Sequence, residues 1–201
     1  MAYNTICFDT QLPKVLTNEI IHFINNTNAV KEPGRVIDNQ GNDLNDPETR
    51  KSTVSWLDHE CWIWGFLWHY INQANKLNFK YDLSHISSNL QISEYTKGEF
   101  FNWHADDSIA SKSGWDESVS HTLNEEQESV RKLTFSLSLS GSEEFTGGEF
   151  EILGPTRRVF SPQAKPGRLI IFDSTAMHRV RPVKSGKRRA LVGWVLGPRW
   201  R

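Results

Sequence analysis

The stretch "GRLIIFDSTAMHRVRPVKSGKRRALVGWVL", residues 167–196, decides the fold class. It contains three short segments with the length of β-strands: "GRLIIFDS", "HRVRPV" and "RRALVGWVL". Turn-forming residues, above all "KSGK", separate the second segment from the third. The stretch therefore predicts successive strands of an antiparallel β structure.

Four more strand-like segments precede this stretch. They are "SNLQISEY", "EFFNWH", "KLTFSLSLS" and "GEFEIL", all between residues 88 and 153. Several of them alternate polar and apolar residues, as strands with one buried face do. Seven or eight short strands predict a sandwich or a jelly roll, that is, a double-stranded β-helix core.

The N-terminal part of the chain carries helical patterns instead. In "LPKVLTNEIIHFINN", residues 12–26, and "DHECWIWGFLWHYINQANKL", residues 58–77, apolar residues recur every three or four positions. We therefore expect an α+β fold, with N-terminal helices that support the β core. The chain is expected to form a single domain over residues 1–201, with a helical support region at 1–89 and the jelly-roll core at 90–197.

Composition and charge limit the function classes. The chain has 201 residues, 37% of them hydrophobic, and a formal net charge of -1, so no global field draws it to nucleic acid or a membrane. Two cysteines, Cys7 and Cys61, indicate a reducing compartment. We see no signal peptide or membrane span and expect a soluble, cytoplasmic protein. Nothing in the sequence indicates an oligomeric state.

A candidate metal site begins in "FFNWHADDS", residues 100–108. On an extended chain residues two apart point to the same side, so His104 and Asp106 project together. One imidazole and one carboxylate make part of a metal site, and a third ligand has to come from another strand. H-x-D alone is a weak signal, because it occurs by chance in many chains.

His178 is the best candidate for the third ligand. Of the other histidines, His22, His59 and His69 lie on or beside the expected helices, and His121 lies in a long loop. His178 follows an apolar strand and opens the next one, which places it at a strand edge. Two histidines and one carboxylate form a facial triad, which suits non-haem Fe(II) that binds O2 and a co-substrate.

Arg188 strengthens this interpretation. It lies ten residues after His178, on a strand where Arg188, Val192 and Trp194 share a face. A guanidinium held there can bind a carboxylate through two parallel hydrogen bonds. Arg189 points the other way if the alternation holds.

These motifs resemble a known family. The chain reads "Y-x-x-G-x(5)-H-x-D", then "F-x-G-G-E-F", then "P-G-R-L-I-I-F-D-S-x-x-x-H-x-V-x-P-V-x-x-G-x-R". This order is similar to that of the Fe(II)- and 2-oxoglutarate-dependent dioxygenases. Within them it most resembles the prolyl 4-hydroxylase catalytic-domain branch and its PKHD-type bacterial and phage relatives. The resemblance covers residues 90–197.

The resemblance implies a metal and co-substrate set and a role for each site residue. Fe(2+), 2-oxoglutarate and O2 are implied, with ascorbate as a candidate reductant. The implied iron ligands are His104, Asp106 and His178. Arg188 would pair with the distal carboxylate of 2-oxoglutarate, and Tyr95 would hydrogen-bond the same group. Trp194 and the strand from Phe135 to Leu139 would wall the pocket.

The implied activity is hydroxylation of a peptidyl or free amino acid of the proline type, with release of succinate and CO2. Animal collagen prolyl hydroxylases carry Lys where Arg188 stands, which argues against a collagen-like substrate. Two alternatives stay open: the same chemistry on a nucleic-acid base, and a non-catalytic jelly-roll binding module. The basic C-terminal third fits a nucleic acid weakly. The demethylase branch has a second arginine where this chain has Trp194, which disfavours that alternative.

The segment between the two halves of the core is an expected functional loop. Residues 107–130, "DSIASKSGWDESVSHTLNEEQESV", fit no strand and exceed an ordinary connection. The segment leaves directly after Asp106 and carries a lone Trp115 beside Gly114. We therefore expect a mobile lid over the site, and the alternative is a passive insertion, which long surface loops tolerate at little cost.

Overall fold

The computed structural model describes residues 7–37, 43–58, 61–106, 129–154 and 156–198. Within these ranges the protein is mostly β-sheet with two α-helices, α1 (Lys14–Asn25) and α2 (Ile63–Ala74), and α2 continues into a π-helical turn at Asn75–Phe79. None of the helices in these ranges has the length and apolar character needed to cross a lipid bilayer. Residues 107–128, which hold most of the expected lid, lie outside the described residues.

The strands of the described residues are numbered along the chain. They are β1 (Cys7–Gln11), β2 (Glu32–Pro33), β3 (Val36–Ile37), β4 (Asp43–Leu44), β5 (Arg50–Lys51), β6 (Thr53–Asp58), β7 (His85–Ile86), β8 (Asn89–Tyr95), β9 (Phe100–His104), β10 (Ser129–Ser138), β11 (Phe145–Gly147), β12 (Phe150–Leu153), β13 (Val159–Phe160), β14 (Arg168–Asp173), β15 (His178–Val180), β16 (Val183–Gly186) and β17 (Arg188–Pro198).

Two antiparallel sheets form the core. The major sheet has the order β1-β14-β10-β17-β8-β6-β2, with β7 paired to β17, and the minor sheet has the order β13-β12-β15-β9-β5. Apart from the hairpin of β12 and β13, neighbours along each sheet are not consecutive strands, as in a jelly roll. All seven strand segments expected from the sequence are strands of one of these sheets.

The N-terminal region differs from the sequence expectation. Residues 1–89 were expected to be helical, yet β1 pairs with β14 and β6 pairs with β8 in the major sheet. Both strands are short, and β1 ("CFDTQ") is an edge strand with polar residues. The partner of β1 lies about 160 residues further along the chain, so no local pattern marks the pairing. The two expected helices are present as α1 and α2, but the region is not helical throughout, because it also contributes strands to the major sheet.

Strand β10 has two chemically different faces. Leu133, Phe135 and Leu137 are fully buried in one apolar cluster that also contains buried side chains of α1 and α2, such as Ile20 and Leu67. Thr134 and Ser136 alternate with them and line a cavity between the two sheets. The alternation therefore places an apolar core on one face and a polar cavity wall on the other. That the helices support the sheet stays a prediction.

Candidate functional site

Strand pairing in the minor sheet brings the two candidate histidines together. His104 ends β9, His178 begins β15, and the two are direct partners in the antiparallel pairing. Directly opposed residues of an antiparallel pair have neighbouring side chains, and here the two imidazole centroids are 4.1 Å apart. Asp106 follows β9 by two residues, and its backbone N–H donates to the Ser174 carbonyl at 2.8 Å.

The three side chains form a cluster with metal-ligand geometry. One ligand atom from each of His104, Asp106 and His178 lies within 4.8 Å of the others. The His178 Nε2 atom is 3.4 Å from Asp106 Oδ2, and the His104 Nε2 atom is 3.8 Å from Asp106 Oδ1. Two imidazole nitrogens and a carboxylate are a donor set that fits Fe(II), and three protein ligands leave coordination positions open.

Each histidine has its second nitrogen engaged away from the cluster. The Nδ1 atom of His104 is 2.7 Å from the Asn102 carbonyl oxygen, and that of His178 is 3.0 Å from the Ala176 carbonyl oxygen. A neutral imidazole whose Nδ1–H donates to a carbonyl has an unprotonated Nε2, the form that binds a metal. The two carbonyls therefore favour the tautomer that metal binding requires.

The Asp106 carboxylate is held by the hydroxyl of Thr134 in the major sheet, which in turn contacts the hydroxyl of Ser174 after β14. Thr134 Oγ1 donates to Asp106 Oδ2 at 3.0 Å, and Thr134 Oγ1 and Ser174 Oγ are 3.1 Å apart. Because one carboxylate oxygen accepts this bond, the other is free to face an ion. The contact also links the minor-sheet ligands to strand β10.

The charges in the cluster are coupled. Burial opposes ionisation of Asp106, but the charge of His178, its hydrogen bond to the carboxylate, and the charges of His104 and Arg131 keep the Asp106 pKa well below its usual range. Burial, with the charge of His178, lowers the pKa of His104 to about 3. Burial alone would lower the pKa of His178, but the adjacent Asp106 carboxylate raises it. At neutral pH Asp106 is therefore a carboxylate and His104 a neutral imidazole, and the carboxylate favours the protonated form of His178.

Aromatic rings enclose the cluster. Phe101 stacks on His104 with centroids 3.5 Å apart and an interplanar angle of 12°. Phe172 meets the edge of His178 at 4.8 Å, and Phe150 lies 5.9 Å from the same ring. These apolar contacts limit rotation of the two imidazoles and exclude water from their sides.

Arg188 and Tyr95 lie opposite each other in the major sheet. They are register partners of β17 and β8, and the Arg188 guanidinium carbon is 5.5 Å from the Tyr95 ring centroid. Arg188 is only 6% exposed, and burial lowers the pKa of its guanidinium. Among the described residues no carboxylate lies within ion-pair distance of it. A buried guanidinium without a counter-ion is costly unless a ligand supplies the anion.

Trp194 lies on the same face of β17 as Arg188. The Arg131 guanidinium carbon is 4.2 Å from the Trp194 ring centroid, and the Trp56 ring is 6.4 Å away. The Trp194 indole nitrogen is buried and has no hydrogen-bond partner within the described ranges. Arg189 points away from this face, as its position in the strand predicts, and donates to Asn25 Oδ1 at 2.8 Å.

The candidate residues share one cavity of about 700 Å³ between the two sheets, called the metal-side cavity below. The three cluster residues, Arg188, Tyr95 and Trp194 all line it. The predicted wall strand from Phe135 to Leu139 lines the cavity through Ser136, and Thr134 of the same strand lines it too. Phe135 and Leu137 face the apolar core instead. The strand therefore walls the cavity with its polar side chains and not with its apolar ones.

The remaining histidines of the described residues lie elsewhere. His22 is on α1, His69 is on α2 and His85 is in β7, all outside the cluster. His59 and His121 lie outside the described residues. Trp103, beside His104, is half-buried, and the Arg179 guanidinium carbon lies 4.5 Å from its ring centroid.

Sequence reasoning missed the residues that hold the ligands in place. Thr134 and Ser174 carry no motif of their own, and their contact to Asp106 joins segments about 30 and 70 residues away. The period-two pattern of "KLTFSLSLS" could have identified Thr134, because it puts the hydroxyl residues on the face opposite the apolar ones. No local signal identifies Ser174 or Arg131.

Comparison with known families decides what kind of site this is. The model of the "2OG-Fe(II) oxygenase superfamily" matches residues 90–196, more than half of the chain. The chain belongs to the 2OG-Fe(II) oxygenase superfamily. Members of this superfamily use Fe(II), 2-oxoglutarate and O2. The matched residues include the whole cluster and Arg188.

Among curated proteins, the chain is similar to a PKHD-type hydroxylase of Parvibaculum lavamentivorans. The two are 33% identical over 105 residues, which are 52% of this chain and 40% of that protein. A PKHD-type hydroxylase of Hyphomonas neptunium is 43% identical over 63 residues, 31% of this chain and 28% of that protein. The chain thus matches well under half the length of these relatives.

A solved structure supports the fold. A prolyl hydroxylase from Trichoplax adhaerens, in complex with a peptide fragment of the hypoxia inducible factor oxygen degradation domain, superposes with a TM-score of 0.70. The match covers 96% of this chain and 85% of that one at 15% sequence identity, so it establishes the fold alone. The shared fold is the jelly roll of the 2-oxoglutarate oxygenases.

Proposed function

We propose that the chain is an Fe(II)- and 2-oxoglutarate-dependent dioxygenase that hydroxylates a peptidyl or free amino acid of the proline type. One observation carries the proposal: the cluster of His104, Asp106 and His178 and the buried, anion-free Arg188 line the same cavity. The cluster suits a metal, and the guanidinium suits the far end of a dicarboxylate. Few other enzyme activities require a metal site and a buried guanidinium in the same cavity.

The cluster residues would hold the metal through the two Nε2 atoms and one oxygen of Asp106. Fe(II) bound there supplies the activation of O2 that, with 2-oxoglutarate as co-substrate, hydroxylates a substrate and releases succinate and CO2. The chain's own contribution is orientation. The Asn102 and Ala176 carbonyls fix the two imidazoles, and Thr134 fixes the carboxylate. Such supporting contacts commonly change metal affinity 10- to 100-fold, roughly.

Arg188 would bind the distal carboxylate of 2-oxoglutarate. The guanidinium offers a planar pair of donors, which matches a carboxylate better than a point charge does. Tyr95 lies opposite it in register and can add its phenolic O–H as a further donor. The bound anion would also offset the cost of burying the Arg188 charge.

The substrate would lie on the Trp194 side of the metal-side cavity. Trp194 and Trp56 offer apolar ring surface there, and the Trp194 indole N–H is a donor without a partner in the described ranges. A peptidyl proline presents an apolar ring and a carbonyl acceptor, which match these two features. The names of the similar proteins, PKHD-type hydroxylases and prolyl hydroxylases, support the same substrate class.

We further propose that residues 1–201 act as one domain. Strand β1 pairs with β14, and β6 pairs with β8, so the N-terminal segment contributes to the sheet that carries Arg188. The use of ascorbate and a cytoplasmic location stay predictions from the sequence.

Turnover of 2-oxoglutarate tests the proposal. The purified chain is supplied with Fe(II), O2 and 2-oxoglutarate, and succinate is measured without substrate and with proline peptides, free proline or methylated oligonucleotides. We expect iron-dependent succinate formation that proline-containing substrates accelerate. His178→Ala should abolish it, because a cluster ligand is lost. His69→Ala, on the exposed side of α2, should not.

Two results would contradict the proposal. Succinate at the level of an enzyme-free control rejects the dioxygenase assignment, and so does undiminished turnover by His178→Ala. If methylated oligonucleotides accelerate succinate formation and proline compounds do not, the chain is still an iron-dependent dioxygenase. Its substrate is then a nucleic-acid base.

A further inference from the structure

A second cavity, of about 440 Å³, adjoins the metal-side cavity behind Arg188. We call it the serine-lined cavity, after Ser136, Ser138, Ser142 and Ser161 in its wall. Ser136, Phe150 and Arg188 line both cavities, so the two meet at the guanidinium. A co-substrate that extends from the metal to Arg188 therefore ends at the entrance to additional space.

The space exists because strand β10 carries small side chains on its cavity face. Ser136 and Ser138 alternate with the large residues Phe135 and Leu137, which face the apolar core. A large side chain at Ser136 or Ser138 would fill the region next to Arg188. On the far side the cavity reaches exposed residues, Ser161 and Gln163 among them, so it is open to solvent.

The Arg188 guanidinium is not fixed at one position by its neighbours. Within the described ranges it makes no hydrogen bond or ion pair, and its nearest aromatic rings, Tyr95 and Phe150, are 5.5 and 6.0 Å from the guanidinium carbon. The other arginine of the serine-lined cavity, Arg168, is paired with Asp9. Arg188 is therefore the cation available to an anion here, and it can follow a carboxylate placed slightly further from the metal.

From this geometry we infer that the co-substrate site accepts 2-oxo dicarboxylic acids longer than 2-oxoglutarate, such as 2-oxoadipate. The inference rests on the proposed function, since it assumes that the 2-oxo acid end lies at the metal and the distal carboxylate at Arg188. The extra methylene would extend toward the serine-lined cavity instead of meeting a wall. Ser138 lines only that cavity, so a larger side chain there would restrict the accepted length without occupying the metal-side cavity.

Binding measured without turnover tests the inference. Protein loaded with Mn(II) is titrated anaerobically with 2-oxoglutarate and with 2-oxoadipate in a calorimeter. A close-fitting pocket disfavours one extra methylene by roughly 10- to 200-fold, whereas here we expect the two dissociation constants to agree within about threefold. This comparison uses the unaltered protein, so it does not depend on the folding of any variant.

A large side chain that fills the serine-lined cavity should make the site prefer 2-oxoglutarate over 2-oxoadipate. Ser138→Leu is expected to weaken 2-oxoadipate binding by about tenfold or more, the lower limit for a close-fitting pocket, while 2-oxoglutarate still binds. Ser129→Leu, on the same strand but lining neither cavity, is the matched control and should leave the ratio of the two constants unchanged.

The outcomes are distinguishable. If 2-oxoglutarate binds and 2-oxoadipate is disfavoured by more than about tenfold in the unaltered protein, the inference is wrong and the proposed function stands. If both acids bind equally and Ser138→Leu does not change this, the extra methylene does not lie in the serine-lined cavity. That result also contradicts the inference. If neither acid binds to the metal-loaded protein, the proposed function and the inference both fail.

Discussion

At the scale of single residues, two neighbouring arginines have different environments, and only one of them lines the site. Arg188 faces the metal-side cavity without an anion among the described residues, while Arg189 points to α1 and contacts Asn25 and Glu94. The two side chains have the same chemistry and opposite directions. They therefore form a natural pair for separating co-substrate binding from fold stability.

Arg188→Lys should weaken 2-oxoglutarate binding without unfolding the protein. Lysine keeps the charge but cannot offer two parallel donors. Loss of one charge-assisted hydrogen bond should cost roughly 1.5 to 3 kcal/mol of binding free energy. Calorimetry on the Mn(II)-loaded protein measures this loss. Arg189→Lys serves as the control. If Arg188→Lys binds 2-oxoglutarate as tightly as the unaltered protein and Arg189→Lys binds it more weakly, the wrong arginine has been assigned.

Thr134→Val should weaken metal binding. The substitution preserves volume but removes the hydroxyl that donates to Asp106 Oδ2 at 3.0 Å. Loss of such a supporting contact lowers metal affinity roughly 10- to 100-fold. Competition with a chelator of known affinity for Mn(II) gives the dissociation constant. The same substitution at Thr10, on edge strand β1, should have no effect. If Thr134→Val and the unaltered protein bind Mn(II) with equal affinity, the hydroxyl has no role in metal binding.

At the scale of elements, β10 links the core to the site. Its apolar face packs in the cluster that holds α1 and α2, and its polar face supports Asp106 and lines both cavities. A disturbance of the helix layer can therefore reach the site through one strand. The sequence pattern predicted the strand, but the alternation of polar and apolar residues does not show that the polar face lines the cavities and the apolar face packs with the helices.

Leu67→Ala should destabilise the fold. Leu67 on α2 is fully buried in the main apolar cluster, and truncation of such a leucine costs about 2 to 5 kcal/mol of unfolding free energy. Urea unfolding followed by tryptophan fluorescence measures the loss. Leu77→Ala, at a side chain that is 66% exposed, should change the unfolding free energy by less than about 0.5 kcal/mol. Similar losses in both variants would contradict the packing described for α2.

At the scale of the whole molecule, the sequence predicted most of the β core and the residues that the structure brings into one cluster. His104 and Asp106 share a strand end, and His178 opens another strand, so strand periodicity and order were enough to propose them. Strands β1 and β6 were missed, because they lie among helical and loop patterns and pair with strands that come later in the chain. The expected lid stays a prediction for residues 107–128, which lie outside the described residues. Its last two residues, Ser129 and Val130, belong to β10, so the expected loop extended too far.

The central claim is that one metal ion binds at the junction of β9 and β15 with Arg188 in the same cavity. A crystal structure of the protein grown anaerobically with Fe(II) and 2-oxoglutarate tests it most directly. We expect His104, Asp106 and His178 each at about 2.0 to 2.3 Å from one ion, with the distal carboxylate of 2-oxoglutarate on Arg188. An ion bound elsewhere, with these three side chains apart, would contradict the account.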